Sequence, residues 1–76
     1  MYVYQDVNIT FYYSYIYHIR GYSTTNVTLF NSTCNRAYLY DSSFVSIIAE
    51  SHINELYLYD DASYYLSPDS TIDNIH

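Results

Sequence analysis

A short string that occurs twice in the chain constrains its fold more than any other feature. AYLYD at positions 37–41 returns as LYLYD at positions 56–60, so the two copies are related by an offset of 19. The same offset aligns VTL at 27–29 with SII at 46–48. Fixed repeats of this length are typical of chains that stack one supersecondary unit on the next. We therefore expect each repeat to form one coil of a stack.

Within the repeat, apolar residues recur at every fifth position. They are Leu29, Cys34, Leu39 and Phe44 and, after a one-residue slip, Ile48, Ile53 and Leu58. A small residue usually stands two positions earlier, as do Ser32 and Ala37. Over residues 27–58 this pattern resembles the pentapeptide-repeat family. The resemblance implies a right-handed, four-sided β-helix in which both positions point inward.

The predicted fold is all-β and forms a single domain over residues 1–76. We expect a short right-handed β-solenoid of about four coils; a small antiparallel β-sandwich or meander is the alternative. The 13 Tyr favour strands, and the single Gly disfavours ordinary hairpin turns. Corners made by Asn, Asp and Ser would explain that scarcity. At 67–69, SPD begins either a C-terminal helical cap over 68–75 or a plain turn.

Strands are predicted from the alternation of apolar and polar residues. Residues 7–19 alternate with period 2, so we expect one extended segment with its odd positions buried. Further strands are expected at 27–30, 37–40, 44–48 and 56–59. If Leu39 and Leu58 point inward one coil apart, their tyrosine neighbours point outward and stack in ladders.

Charge is distributed unevenly along the chain. Residues 1–36 carry Arg20 and Arg36 against Asp6, a sum of +1, whereas residues 37–76 carry seven acidic residues and no Lys or Arg, a sum of −7. Direct nucleic-acid binding is disfavoured, because Lys and Arg supply most of that affinity. An acidic surface instead steers positively charged proteins toward it. We therefore expect a protein partner with a basic, nucleic-acid-binding surface.

No group of residues predicts catalysis or a cofactor. The three histidines have no metal-ligand spacing, and Cys34 falls on the inward positions, where a thiol behaves as a small apolar group. We expect no enzyme activity, no metal and no cofactor. One cysteine and an N-terminus without a basic and apolar leader favour the cytoplasm, that of the host if a phage encodes the chain. No apolar run is long enough for a membrane span.

The predicted binding residues are outward tyrosines and the carboxylates near them. They are Tyr38, Tyr40, Asp41, Glu50, Glu55, Tyr57, Tyr59, Asp60 and Asp61. The first hypothesis is an inhibitor that mimics DNA or RNA phosphates, of the anti-restriction or anti-CRISPR type, as acidic members of the resembled family mimic duplex DNA. The second is an assembly module that oligomerises, for example as a homodimer, through its Tyr-rich faces. The carboxylates could instead only maintain solubility, and the stacked rings only stabilise the solenoid.

Overall fold

We describe the protein from a computed structural model that defines residues 2–3 and 7–76. This part of the chain contains strands and no helix. The strands are β1 (Tyr2–Val3), β2 (Asn8–Tyr12), β3 (Tyr15–Gly21), β4 (Asn26–Phe30), β5 (Thr33–Leu39), β6 (Phe44–Ile48), β7 (His52–Leu58), β8 (Ser63–Leu66) and β9 (Thr71–Ile75).

The strands form two sheets, and neighbouring strands within each sheet run parallel. One sheet has the order β1-β3-β5-β7-β9 and the other the order β2-β4-β6-β8. Each coil contributes one strand to each sheet, so β2 to β9 form about four coils, and β1 begins the layer before them. All pairings between the described strands are parallel. The β-solenoid prediction is confirmed, and the antiparallel alternative is wrong.

The core lies between the two sheets as stacked columns of inward side chains. Its buried apolar members are Ile19, Val27, Leu29, Cys34, Ala37, Leu39, Val45, Ile47, Ile53 and Leu56. Leu39 pairs with Leu58 in adjacent strands; Leu39 is fully buried, and Leu58 packs against the core from the next coil. The predicted inward equivalence of these two leucines is confirmed.

The coil length changes within the stack. Val27 pairs with Val45 and Leu29 with Ile47, an offset of 18, whereas Thr33 pairs with His52 at an offset of 19. The alignment of 27–29 with 46–48 is therefore wrong by one residue. Phe44 and Ile48, predicted to be inward, are only half-buried, because Val45 and Ile47 hold the inward columns. The extra residue falls in the corner between β6 and β7.

Two further predictions of local structure are corrected. Residues 7–19 do not form one strand, because Tyr13, in a left-handed backbone conformation (φ 50°), turns the chain between β2 and β3. Beyond that corner Tyr15 and Tyr17 are exposed and Ile16 packs against the core, whereas Ile19 is buried as predicted. The helical cap over 68–75 is also wrong. The alternative of a plain turn is right, and β9 follows it and pairs with β7.

Non-glycine residues in the left-handed region make most corners. Ser23, Asn31, Asp41 and Asp60 have φ between 48° and 60°, as expected for corners built from Ser, Asn and Asp. In the corner lengthened by one residue, Ala49 and Glu50 both have positive φ. The single glycine makes no corner. Gly21 lies in β3 over Leu39, where an added Cβ would come within 3.3 Å of Leu39 Cδ2.

A ladder of serines connects successive coils by hydrogen bonds at the corner between the two sheets. The Ser32 hydroxyl accepts a hydrogen bond from the Ser14 N–H, Ser51 accepts one from Ser32, and Ser70 accepts one from Ser51, each at 3.0 Å. Because Ser32 and Ser51 are buried, water cannot easily satisfy their backbone N–H groups, whereas Ser14 is exposed. The ladder keeps the chain turning at the same place in each coil.

Candidate protein-binding surface

Four predicted tyrosines form two ladders on the outer surface of the five-stranded sheet. Tyr38 stacks on Tyr57 with ring centroids 4.6 Å apart, and Tyr40 stacks on Tyr59 at 4.8 Å, with both pairs nearly parallel. These separations match the spacing of neighbouring strands, so the coil repeat itself brings the rings into contact. We call the surface formed by Tyr38, Tyr40, Tyr57 and Tyr59 the tyrosine face.

Both ladders extend beyond the predicted residues. The Arg20 guanidinium lies 4.9 Å from the Tyr38 ring centroid, and the His76 ring stacks on Tyr57 at 4.3 Å. Tyr38 and Tyr57 therefore have both ring faces covered and present mainly their edges and hydroxyls. Tyr22 stacks on Tyr40 at 4.7 Å. Tyr59 is the last ring of its ladder and is 43% exposed. It is the most accessible of the four tyrosines of this face.

Arg20, Tyr22 and His76 were not predicted as members of these ladders, although the repeat could have identified them. His76 follows Tyr57 at an offset of 19, and Arg20 and Tyr22 precede Tyr38 and Tyr40 at an offset of 18. The three alignments are found together only when the coil length is allowed to change from 18 to 19 residues.

Glu55 lies at the centre of a polar cluster on the same sheet. Its carboxylate contacts Arg36 Nε at 3.2 Å and His76 Nε2 at 3.3 Å, and it accepts a hydrogen bond from the Tyr57 hydroxyl at 3.3 Å. Burial raises the pKa of Glu55, but the hydrogen bond with His76, the charge of Arg36 and the other contacts together lower it below its ordinary value. The carboxylate is ionised at neutral pH and partly neutralised by its neighbours.

Two hydroxyls of the tyrosine face, those of Tyr40 and Tyr57, have a raised pKa. Burial, followed by the influence of Tyr22 and Tyr59, raises the pKa of Tyr40. Burial and the charge of Glu55 raise the pKa of Tyr57. Tyr40 and Tyr57 therefore add no negative charge to the tyrosine face at neutral pH, and Arg20 adds a positive charge beside Tyr38.

Three of the predicted carboxylates meet at one corner beside the tyrosine face. Asp41 and Asp60 occupy equivalent corner positions, and Asp61 follows directly. The Asp41 carboxylate accepts a hydrogen bond from the Ser23 N–H at 2.9 Å, and that of Asp60 accepts one from the Asp41 N–H at 3.1 Å. All three residues are exposed. We call Asp41, Asp60 and Asp61 the acidic corner.

Glu50 lies at a different corner from the other predicted residues. It precedes β7, whereas Asp60 follows that strand, so the seven residues of β7 separate them by roughly 20 Å. Glu50 is close to Asp69, as expected from the offset of 19, and its backbone N–H hydrogen-bonds the Asp69 carboxylate. A hydrogen bond from Ser67 is the main cause of the lowered pKa of Asp69. The carboxylates therefore occupy two corners and the polar cluster.

The described surface has no pocket, and its described residues include no group of three or more His, Cys, Asp or Glu able to hold a metal ion. Cys34 is buried, and desolvation raises the pKa of its thiol to about 12. The described residues contain no helix long and apolar enough to cross a membrane.

Comparison of the chain with protein-family models, with curated proteins and with solved structures finds no match.

Proposed function

We propose that this chain is a non-catalytic binding protein that occupies a basic, nucleic-acid-binding surface on a protein partner. In this proposal the acidic corner takes the place of phosphates, and exposed Tyr59 packs beside it. The supporting observation is that Asp41, Asp60 and Asp61 lie at one exposed corner, while Arg20 covers the Tyr38 ring and Arg36 pairs with Glu55. The partner would be a nucleic-acid-handling protein or complex that the chain inhibits.

The spacing of the carboxylates supports mimicry of a phosphate backbone. Asp41 and Asp60 are one coil apart, about 4.8 Å along the stack. This is of the same order as the rise of about 3.4 Å along the duplex axis between successive phosphates of one DNA strand. Two like charges about 4 Å apart in water repel by about 1 kcal/mol. A cationic surface that binds both carboxylates would relieve this repulsion, which favours binding.

The resemblance to pentapeptide-repeat proteins supports the proposal by analogy. Cys34, Ala37 and Leu39 point inward in β5, with Asn35 and Arg36 between the first two, as that family's pattern requires. Acidic members of the family mimic duplex DNA. The proposed class is therefore that of small acidic inhibitors from phages or mobile elements, which act in the host cytoplasm as anti-restriction or anti-CRISPR proteins.

The test is capture of partners from bacterial lysate on the immobilised chain, followed by mass spectrometry and elution with duplex DNA. We expect captured proteins that bind nucleic acid, that the DNA displaces, and that are lost steeply as salt rises above physiological strength. The variant Asp60→Asn with Asp61→Asn should capture at least tenfold less, because it removes two charges and keeps the side-chain acceptor at position 60.

The matched control is Glu50→Gln with Asp73→Asn, which removes the same charge from other surfaces. The proposal requires this control to capture partners nearly as well as the unchanged chain. Equal losses in the two variants would mean that only net charge matters. Capture of no nucleic-acid-binding protein, or capture that duplex DNA does not displace, would contradict the proposal.

The second candidate function is assembly through the Tyr-rich faces, for example as a homodimer. It is favoured by the exposure of Tyr12, Tyr13, Tyr15 and Tyr17, each at least 60% exposed. Aromatic contact depends weakly on salt, whereas phosphate mimicry depends on it strongly. Light scattering of the chain alone at low and high salt tests this candidate, because association through tyrosines would persist at high salt.

A further inference from the structure

We propose that copies of this chain stack head to tail, with β8 and β9 of one copy pairing with β2 and β3 of the next. The proposal is independent of the function proposed above. It concerns the two ends of the solenoid, whereas the tyrosine face and the acidic corner lie on its sides.

Both ends of the described stack present strand edges. β8 and β9 are the outermost strands at one end, and each pairs with a described strand on one side only. At the other end β2 is outermost, and β1 pairs with β3 only at Arg20 and Gly21. Unpaired edges present N–H and C=O groups that recruit another strand.

Core columns become exposed where the stack ends. Val45, Ile47 and Leu56 are at most 1% exposed, but their partners in the next coil, Tyr64, Leu66 and Ile75, are 36–49% exposed. These partner positions hold large apolar or aromatic side chains that continue the core rather than the outer surface. One more coil placed on this end would bury them as the earlier coils are buried.

The opposite end of a second copy supplies such a coil in register. Ser63 continues the column of Phe44, Asn26 and Asn8, so β8 would place Leu66 opposite Phe11. In the other sheet, Thr71 continues the column of His52, Thr33 and Tyr15, so β9 would place Ile72 opposite Ile16. Phe11, Ile16 and Ile72 already pack against the core from its two ends.

The residue ranges of β1 and β9 also fit together in the stacked arrangement. β9 ends at Ile75, whose column runs through Leu56 and Ala37 to Ile19, and β1 begins at Tyr2, which pairs with Arg20. In the stacked arrangement β9 would end where β1 of the next copy begins. His76 follows β9 in the column that Tyr2 occupies, so it is the residue that must move aside.

Charge and strand polarity favour the head-to-tail orientation. Residues 1–36 sum to +1 and residues 37–76 to −7, so stacking two C-terminal ends would bring like charges together. Contact between two heads or between two tails would also lose the parallel pairing that is found throughout the described strands. A head-to-tail contact is heterologous and does not close, so it generates filaments. Four coils would add about 19 Å to the filament for each copy.

The test is light scattering over a range of concentrations, with electron microscopy of the most concentrated sample. The unchanged chain should grow in mass with concentration and form filaments. Leu66→Lys places a charge in the contact and should keep the chain at its monomer mass of 9.0 kDa. Tyr65→Lys is the matched control on the same strand. Its side chain points to the side of the solenoid, so it should still assemble.

Mixing two blocked variants tests the polarity. Phe11→Lys blocks the head and Leu66→Lys blocks the tail, so each alone should remain monomeric, with circular dichroism confirming that each folds. Their 1:1 mixture should form a dimer that grows no further, because one competent head meets one competent tail. An unchanged chain that stays at 9.0 kDa up to about 1 mM, assembly by Leu66→Lys alone, or loss of assembly in Tyr65→Lys would overturn the proposal.

Discussion

Replacement of Ser51 by Ala tests whether the serine ladder holds the coils in register. The Ser51 hydroxyl accepts the Ser32 N–H at 3.0 Å and donates to the carbonyl oxygen of Ile48 at 2.6 Å. Ser51 is 2% exposed and Ser32 is 3% exposed. The substitution therefore leaves a buried backbone donor without its acceptor, and it creates no space for a replacing water.

The expected loss follows from the two bonds. An unsatisfied buried donor costs about 1–3 kcal/mol, and the lost hydroxyl donation costs roughly 0.5–1.5 kcal/mol. Removing the hydroxyl from the interior offsets part of this cost. We expect the free energy of unfolding to fall by about 2 kcal/mol. For a chain of this size that corresponds to a decrease in Tm of about 8–16 °C.

The measurement is urea unfolding followed by circular dichroism, at concentrations low enough to keep the chain monomeric. Ser32→Ala is the matched control, because it removes an equally buried hydroxyl but exposes the N–H of Ser14, an exposed residue that water can reach. Ser32→Ala should cost about half as much. A loss below about 0.5 kcal/mol for Ser51→Ala, or equal losses in the two variants, would refute the role assigned to the ladder.

Three further predictions concern the tyrosine face and the core. Tyr40→Ala should lower the free energy of unfolding by about 1–3 kcal/mol, twice the loss for Tyr59→Ala, because Tyr40 makes two ring stacks and Tyr59 one; urea unfolding of both variants measures this. The pKa of Glu55 is lowered from 4.5, so its stabilisation is present above that pH and is lost as pH falls through the folded-state value. The stability difference between the unchanged chain and Glu55→Gln should therefore shrink below pH 4.5, as seen in unfolding at a series of pH values. Cys34, with a thiol pKa raised to about 12, should not react with a disulfide reagent at pH 8 until urea unfolds the chain.

The all-β solenoid was predicted from the repeated string and from the alternation of side chains along the strands. The structure confirms it. The repeated string put Leu39 and Leu58 in equivalent positions, and alternation along the strand turned Tyr38 and Tyr57 outward. This succeeded because side chains alternate between the two faces of a regular strand, as they do from Ala37 to Leu39, although Cys34 and Ala37 both point inward and the alternation therefore shifts within β5. The same rule failed at residues 7–19, where the corner at Tyr13 changed the phase.

Corner length could not be predicted from the string alone. The two identical-looking offsets differ by one residue, because the corner between β6 and β7 contains both Ala49 and Glu50 in left-handed conformations. The five-residue spacing also assigned Phe44 and Ile48 to the core, whereas Val45 and Ile47 occupy the inward columns of β6. The turn after Ser67 led to a strand and not to a helix, because β7 offered an edge with which residues 71–75 could pair.

The sequence by itself determined that the chain forms stacked parallel strands with outward tyrosines and an acidic C-terminal half. Those properties follow from the repeat, from the alternation of side chains along each strand and from the sum of the charges. All three can be read directly from the sequence. Only the tertiary structure decided which charges meet. It placed Glu55 against Arg36 and His76 and separated Glu50 from the acidic corner, whereas the offset of 19 already put Asp41 beside Asp60. The physical reason is that coil length and corner geometry set which residues become neighbours, and both depend on contacts between coils.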